Sequence, residues 1–194
     1  MNRWPNVRPL VAMLAVSCAA VSCANETKKP APTENTGEIQ NPHAQETTSL
    51  EPGAKAPAIS LKLHDGTTVD LQSLVGKQVL VYFYPKDETP GCTIEAEGLR
   101  DGWATLQAAG LVVYGVSTQD EASHKAFIEK HKLPFPLVVD TDGQVAKAFH
   151  VPMRNDHAAR QSFLIGRDGK IKQVWLEVDP KEHAATILAA AKNG

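Results

Sequence analysis

The sequence predicts an α/β fold: a central mixed sheet flanked by helices, with an N-terminal β-hairpin extension. Three observations carry this expectation. The run from Val79 to Tyr84 is continuously apolar or aromatic, as a strand buried on both faces requires. Strand-like runs then alternate with helix-like segments, the pattern of a partly parallel sheet covered on both sides. Finally, Gln161–Ile165 and Lys170–Leu176 flank Asp168-Gly169 as a hairpin, and the chain closes on an apolar helix.

Taken in order, residues 1–24 read as a signal peptide. Arg3 and Arg8 supply a positive start, and Leu10 to Ala24 is apolar and small but too short for a transmembrane helix. Ala-Val-Ser-Cys occurs twice, ending at Cys18 and at Cys23. Small residues before a cysteine at the end of an apolar run resemble a bacterial lipobox, although alanine stands where leucine is usual. Cys23 is the expected lipidation site because the polar stretch begins just after it, and cleavage after Ala24 by an ordinary signal peptidase is the alternative. Residues 25–50 are rich in Lys, Glu, Thr, Asn and Pro, a composition expected to stay disordered. As a coil this linker would span roughly 25–30 Å, enough to hold a folded domain of residues 51–194 clear of a membrane.

Within that domain Ile59–Leu63 alternates as a strand, His64-Asp65-Gly66 is a turn signal, and Thr67–Leu71 is the hairpin partner. Ser73–Gly76 is a short turn or helical segment leading into the central strand. Pro85 ends that strand, because proline cannot donate to a ladder, and Lys86-Asp87-Glu88 reads as a polar loop. Thr89-Pro90 starts a helix, with a hydroxyl N-cap followed by proline at the first helical position. Glu95 and Glu97 sit early in this helix, where the dipole favours acids. It is expected to run to Ala109 and stop at Gly110, with Leu99, Trp103 and Leu106 on its core face. Leu111–Val116 is the next strand. Asp120–His131 is an amphipathic helix with Phe127 and Ile128 inward, and Leu137–Val139 is a buried strand ended by Asp140. Gly143–His150 is a short helix, and Pro180–Lys192 the closing one. The terminal hairpin plus helix fits a thioredoxin-like fold with an N-terminal extension. The seven histidines are scattered and read as surface residues, Tyr84 and Trp103 as core.

Cys92 falls in the first turn of a helix at the C-terminal end of a central strand, where α/β folds place their chemistry. A thiol is a poor nucleophile until ionised, and a helix N-terminus stabilises the thiolate through unpaired N–H groups and the dipole. A free cysteine with pKa ~8.5 is about 3% thiolate at pH 7; a pKa near 6 would make it about 90%, a gain worth ~2 kcal/mol. That is too little for an efficient enzyme, so other groups must hold the substrate and stabilise a leaving oxygen. Thr89, the backbone N–H groups of Gly91 and Cys92, and an arginine from elsewhere in the chain are the candidates.

Pro85-x-x-x-Thr89-x-x-Cys92 resembles the active-site motif of peroxiredoxins, and the longer text YFYPKDETPGCTIEAEGLRD resembles their PrxQ, or bacterioferritin comigratory protein, subfamily. The similarity continues through Tyr114–Asp140 and Arg160–Ile171 and covers nearly all of residues 50–194. It implies a thioredoxin-like fold and a peroxidatic Cys92 that attacks hydrogen peroxide or an organic hydroperoxide, becoming a sulfenic acid. It implies that Thr89 and the local N–H groups hold the peroxide, that Arg160 faces the sulfur, and that Pro85 shields it from water; Arg100 and Arg154 are weaker candidates for the arginine. It further implies a monomer, reduced by a thioredoxin-like protein or small thiol, with no cofactor. No metal, haem or flavin motif is present in the sequence. The PrxQ pattern places a resolving cysteine five residues after the first, where this chain has Glu97. The expected cycle is therefore one-Cys, with an external reductant.

A net charge of −2 argues against nucleic acid as a partner. A disulfide reductase would need a second cysteine three residues after Cys92, and that residue is Glu95. A peroxide-sensing or binding lipoprotein is the remaining alternative. The expected location is the periplasm or cell envelope of a bacterium, lipid-anchored through the N-terminus.

Overall fold

The chain is organised around β3 (Gln78–Phe83), every residue of which is buried. Its side chains alternate between two cores, as the pleat dictates. Val79, Val81 and Phe83 face one cluster with Phe149, Phe163 and Val116. Leu80, Tyr82 and, just beyond the strand, Tyr84 face the other, with Cys92, Leu99, Phe127 and Ile187. This computed structural model describes residues 50–192. The leader, the linker through residue 49, and Cys18 and Cys23 lie outside the described residues.

β3 pairs in parallel with β4 (Leu111–Ser117), and β4 in parallel with β5 (Leu137–Val139). On its other side β3 pairs antiparallel with β8 (Gln161–Ile165), which pairs antiparallel with β9 (Ile171–Trp175). The sheet order is β5-β4-β3-β8-β9, a mixed sheet of the expected thioredoxin-like kind. The hairpin of β1 (Ser60–Lys62) and β2 (Thr68–Asp70) precedes it, and Leu63 bridges to Val138 at the β5 edge. Among the described residues a 3-10 turn (Leu71–Leu74) leads into β3 and five α-helices complete the fold: α1 (Pro90–Asp101), α2 (Trp103–Ala108), α3 (Glu121–His131), α4 (Gln144–Ala148) and α5 (His183–Ala191).

Three expectations need correction. The helix from Cys92 does not run unbroken to Ala109; it stops at Asp101 and restarts at Trp103. Gly102 at the break is a weak helix former, and a Cβ there would lie 3.6 Å from Leu188 Cδ1 of α5. The core face of α3 is formed by His124 and Phe127, with Ile128 only half-buried. A small hairpin of β6 (Met153–Arg154) and β7 (His157–Ala158) was not anticipated. Its Asn155-Asp156 turn has both residues at positive φ, 48° and 62°, the conformation of a tight hairpin turn that asparagine and aspartate tolerate. Arg154 lies exposed in this hairpin.

One glycine in the sheet bears on the site. A Cβ on Gly115 of β4 would stand 2.7 Å from Leu137 Cδ2 and from the Tyr82 ring and hydroxyl. Gly115→Ala is therefore expected to displace Tyr82 and to destabilise the fold by about 1–3 kcal/mol. Urea unfolding monitored by tyrosine fluorescence checks this; an unchanged midpoint would show that β4 yields without cost.

Candidate active site

α1 begins as expected, with Pro90 at its first position and Thr89 as an extended N-cap at φ −82°, ψ 146°. The N-cap hydroxyl does something other than expected. It makes no bond to a helix N–H and donates instead to the Lys86 carbonyl at 3.0 Å. The intervening Glu88 has φ 61°, which folds the Lys86–Thr89 segment back on itself and brings that carbonyl within reach. The first ladder bond runs from Thr93 N–H to the Thr89 carbonyl at 2.9 Å. The N–H groups of Gly91 and Cys92 precede the ladder and are free, by helix geometry, to serve a ligand. Cys92 is 2% exposed and is the one cysteine among the described residues.

Arg160, just before β8, reaches this helix start. Its Nη2 donates to Cys92 Sγ at 3.2 Å, and its Nη1 donates to Glu95 Oε2. Burial alone would lower the Arg160 pKa, but the Glu95 carboxylate and the bond to Cys92 outweigh it and raise the pKa. The guanidinium is thus a fixed cation beside the sulfur. A Cβ added at Gly91 would sit 3.4 Å from Arg160 Nη2, so a small residue is needed where the guanidinium passes. Arg100 is engaged elsewhere, donating to Asp101, Glu97 and the His131 carbonyl. Pro85 is half-buried directly after β3. Cys92, Arg160 and Gly91 thus meet at the helix start, with Thr89 as the N-cap.

Glu95 is the site residue that sequence reasoning missed. Read as an acid favoured by the helix dipole, it lies beyond the first turn, is 0% exposed and is paired with Arg160. The available signal was spacing: Cys92 and Glu95 stand three apart on one helix face, so an arginine reaching the sulfur meets the carboxylate as well. On its other side, His183 Nδ1 lies 3.0 Å from Glu95 Oε1, close but not aligned as a hydrogen bond.

The loop before the helix is pinned by a second buried pair. Asp87 accepts from the Tyr84 hydroxyl at 2.7 Å, the Ser123 hydroxyl at 2.7 Å and His124 Nδ1 at 2.9 Å. His124 Nε2 faces the Val138 carbonyl at 3.1 Å. Both ring nitrogens therefore lie against acceptors, a carboxylate on one side and a carbonyl on the other. His124 and His183 are buried, contrary to the surface reading of the histidines. Each has the carboxylate that makes its burial tolerable: Asp87 for one, Glu95 for the other. Burial pushes the Asp87 pKa up, but the hydrogen bond and charge of His124, with the two hydroxyls, hold it below the usual carboxylate range.

Glu97, where a second cysteine was the alternative, is held at the surface. His131 Nδ1 lies 3.2 Å from its carboxylate, and Arg100 Nη1 donates to it at 3.3 Å. Arg100 also donates to the His131 carbonyl at 2.8 Å, so position 97 ties α1 to the end of α3.

Comparison with known proteins gives one consistent result. Residues 52–174 match the model of the AhpC/TSA family. Peroxiredoxin Bcp of Bacillus subtilis is 39% identical over 152 residues, covering 75% of this chain and 97% of that protein. The chloroplastic peroxiredoxin Q of Suaeda salsa is 41% identical over 139 residues, covering 70% of this chain and 65% of that protein. Among solved structures, the bacterioferritin comigratory protein of Xanthomonas campestris, studied for its alkyl peroxide reduction activity, superposes with a TM-score of 0.68 at 34% identity, covering 74% of this chain and 96% of that one. Peroxidoxin BcpB of Mycobacterium tuberculosis gives 0.69 at 29% identity, covering 74% and 97%.

The Asp87–His124 pair has a measurable signature. Asp87→Asn would remove the buried carboxylate that accepts from Tyr84 and Ser123 and faces His124, at a cost of about 1–3 kcal/mol at neutral pH. Because the Asp87 pKa is depressed on folding, the stability it contributes is present above its unfolded pKa, about 3.9, and is lost as pH falls through its lower folded value. Urea unfolding of both proteins from pH 7 to pH 3 should show the gap between them closing at the acid end; a constant gap would mean that the charge on Asp87 does not matter.

Proposed function

The chain belongs to the AhpC/TSA family, among the Bcp/PrxQ peroxiredoxins, and from that membership we propose a one-Cys peroxidase cycle centred on Cys92. Membership makes it a thiol peroxidase of the antioxidant peroxiredoxin type. The observation that carries the catalytic assignment is the 3.2 Å bond from Arg160 Nη2 to Cys92 Sγ.

In the proposed cycle the Cys92 thiolate attacks the terminal oxygen of the peroxide. An S–O bond forms as the O–O bond breaks, and the departing oxygen leaves as water or an alcohol after taking a proton. Negative charge moves from sulfur to that oxygen, so the donors that stabilise the reaction must cover both ends of the path. Arg160 stands at the sulfur end. The N–H groups of Gly91 and Cys92 lie at the helix start, where a peroxide held in line would sit, and the Thr89 hydroxyl, whose own proton goes to the Lys86 carbonyl, offers its oxygen there as an acceptor for the peroxide O–H. Pro85, at the mouth of the strand, limits water. The product is a Cys92 sulfenic acid. With Glu97 at the usual resolving position, an external thiol attacks that sulfur, releases water and leaves a mixed disulfide; a second thiol then frees Cys92. A thioredoxin-like protein or a small thiol fits this role. Hydrogen peroxide and organic hydroperoxides are the proposed substrates, in keeping with the alkyl peroxide activity for which the Xanthomonas campestris relative was studied. The enzyme is proposed to act as a monomer.

Peroxide consumption by the purified protein with dithiothreitol is expected to be catalytic and to vanish in Cys92→Ser. After one equivalent of peroxide without reductant, dimedone should label Cys92. A Cys92 that stays reduced would overturn the assignment, and an intramolecular disulfide would overturn the one-Cys cycle.

The protein is further proposed to be exported and lipid-anchored at Cys23, on the support of Ala20-Val21-Ser22-Cys23 and the polar stretch that follows. In bacterial cells fed labelled palmitate, label should enter the chain and be lost in Cys23→Ser but kept in Cys18→Ser. Absence of label from the unaltered chain would overturn the anchor.

A further inference from the structure

We propose that His183 is a positioning residue of the Cys92 site, holding the Glu95 carboxylate so that the Arg160 guanidinium is shared with the sulfur. The proposal rests on the Cys92 assignment above. It begins from the fork of Arg160, one nitrogen of which serves Glu95 and the other Cys92. A buried guanidinium between a carboxylate and a thiolate is drawn to both. How far it favours the sulfur depends on what else satisfies the carboxylate.

Glu95 is wholly buried, and its Oε1 makes no hydrogen bond within the protein. A buried carboxylate oxygen left without a donor is strongly disfavoured. The neighbouring polar group is His183 Nδ1 at 3.0 Å. His183 is the first residue of α5, is 2% exposed, and stacks edge-on against Tyr82 with ring centroids 6.1 Å apart. Neither of its ring nitrogens makes a hydrogen bond, so its own need matches that of Glu95. A small rotation aligns an Nδ1–H with Oε1. The groups then run His183, Glu95, Arg160, Cys92, with donor beside acceptor along the row. The titratable neighbours facing this row are Tyr82 from β3, Glu95 and Cys92 from α1, and Arg160 from the loop before β8. Lys181 and Glu182, next to His183 in sequence, are exposed to solvent.

With His183 in place, Glu95 draws on two donors and Arg160 is left to stabilise the Cys92 thiolate. Without it, Glu95 claims more of Arg160, and its negative charge acts on the sulfur less opposed. The histidine therefore touches neither peroxide nor sulfur, yet it sets how readily the sulfur ionises.

The test is the pH dependence of Cys92 alkylation by iodoacetamide, which reads thiolate directly and requires no peroxidase turnover. His183→Leu is expected to raise the midpoint by about one pH unit, a tenfold change in the ionisation constant. His183→Gln, which keeps an N–H donor, should fall between that variant and the unaltered protein. In a Glu95→Gln background, His183→Leu should move the midpoint no further. An unchanged midpoint in His183→Leu, or the same shift with Glu95 already neutral, would overturn the proposal while leaving the peroxidase assignment intact. Ring-nitrogen NMR of the unaltered protein is a check that needs no variant: a proton on Nδ1 is expected, and a bare Nδ1 facing Glu95 would overturn it.

Discussion

The fork of Arg160 between Cys92 and Glu95 is the contact on which the rest of the site depends. It joins parts of the chain more than sixty residues apart: the first turns of α1 and the residue just before β8. Sheet register brings them together. β8 lies antiparallel to β3, with Phe83 opposite Gln161, so the residue before β8 emerges at the end of β3 from which the Pro85–Thr89 loop leads into α1. A slip of one residue would turn the side chains of β8 to the opposite faces and carry Arg160 away from the sulfur. The packing of Val81 and Phe83 against Phe163 therefore has a consequence at Cys92, because it fixes where a cation stands beside the sulfur.

Two buried ionic groupings flank that contact, and neither is an obvious source of stability. Taking charges out of water costs several kcal/mol per ion before pairing recovers it. What they add is position. Asp87 is held by two hydroxyls and the His124 ring, so the loop between β3 and α1 has one placement relative to α3. Glu95 is held by Arg160 and lies beside His183, so α1 has one placement relative to α5 and β8. An apolar core could bury the same area, but it would not specify the direction of a guanidinium to within a hydrogen bond.

The scaffold was legible in the sequence because its signals are local. The Val79–Tyr84 run, the Thr89-Pro90 start and the Asp168-Gly169 turn each declare themselves within a few residues, and each stands where expected. The place of Cys92 was legible for the same reason, as position in the helix is a local property. Arg160 could be placed only through the family motif, since nothing in its neighbourhood distinguishes it from a solvated arginine. His124 and His183 were read as surface residues, and nothing marked Asp87 in its polar loop or Glu95 near the helix start as buried. Polar residues are mostly exposed, and a polar residue is buried only when a partner distant in sequence neutralises it. Asp87 and His124 are 37 residues apart, beyond the reach of any periodicity or cap. The Gly102 break was missed for another reason: a single glycine is tolerated in many helices, so its presence does not announce a stop.

Position 97 shows how one substitution changes what the fold is asked to do. Residues five apart on an α-helix are separated by about 7.5 Å along the axis and point about 140° apart, too far for a disulfide, whose Cα atoms lie about 5.5–6 Å apart. A cysteine at this position could pair with Cys92 only if α1 unwound. Here Glu97 instead binds His131 and Arg100, and Arg100 binds the His131 carbonyl, so the same position strengthens the hold of α3 on α1. The proposed one-Cys cycle has no step that needs the helix to open for an internal partner. Its demand lies elsewhere: a peroxide of two oxygens can reach a sulfur that is 2% exposed, whereas a protein thiol cannot without local displacement. In the proposed cycle, the burial that keeps water from the sulfur would also slow its resolution by a protein thiol relative to attack by a small peroxide.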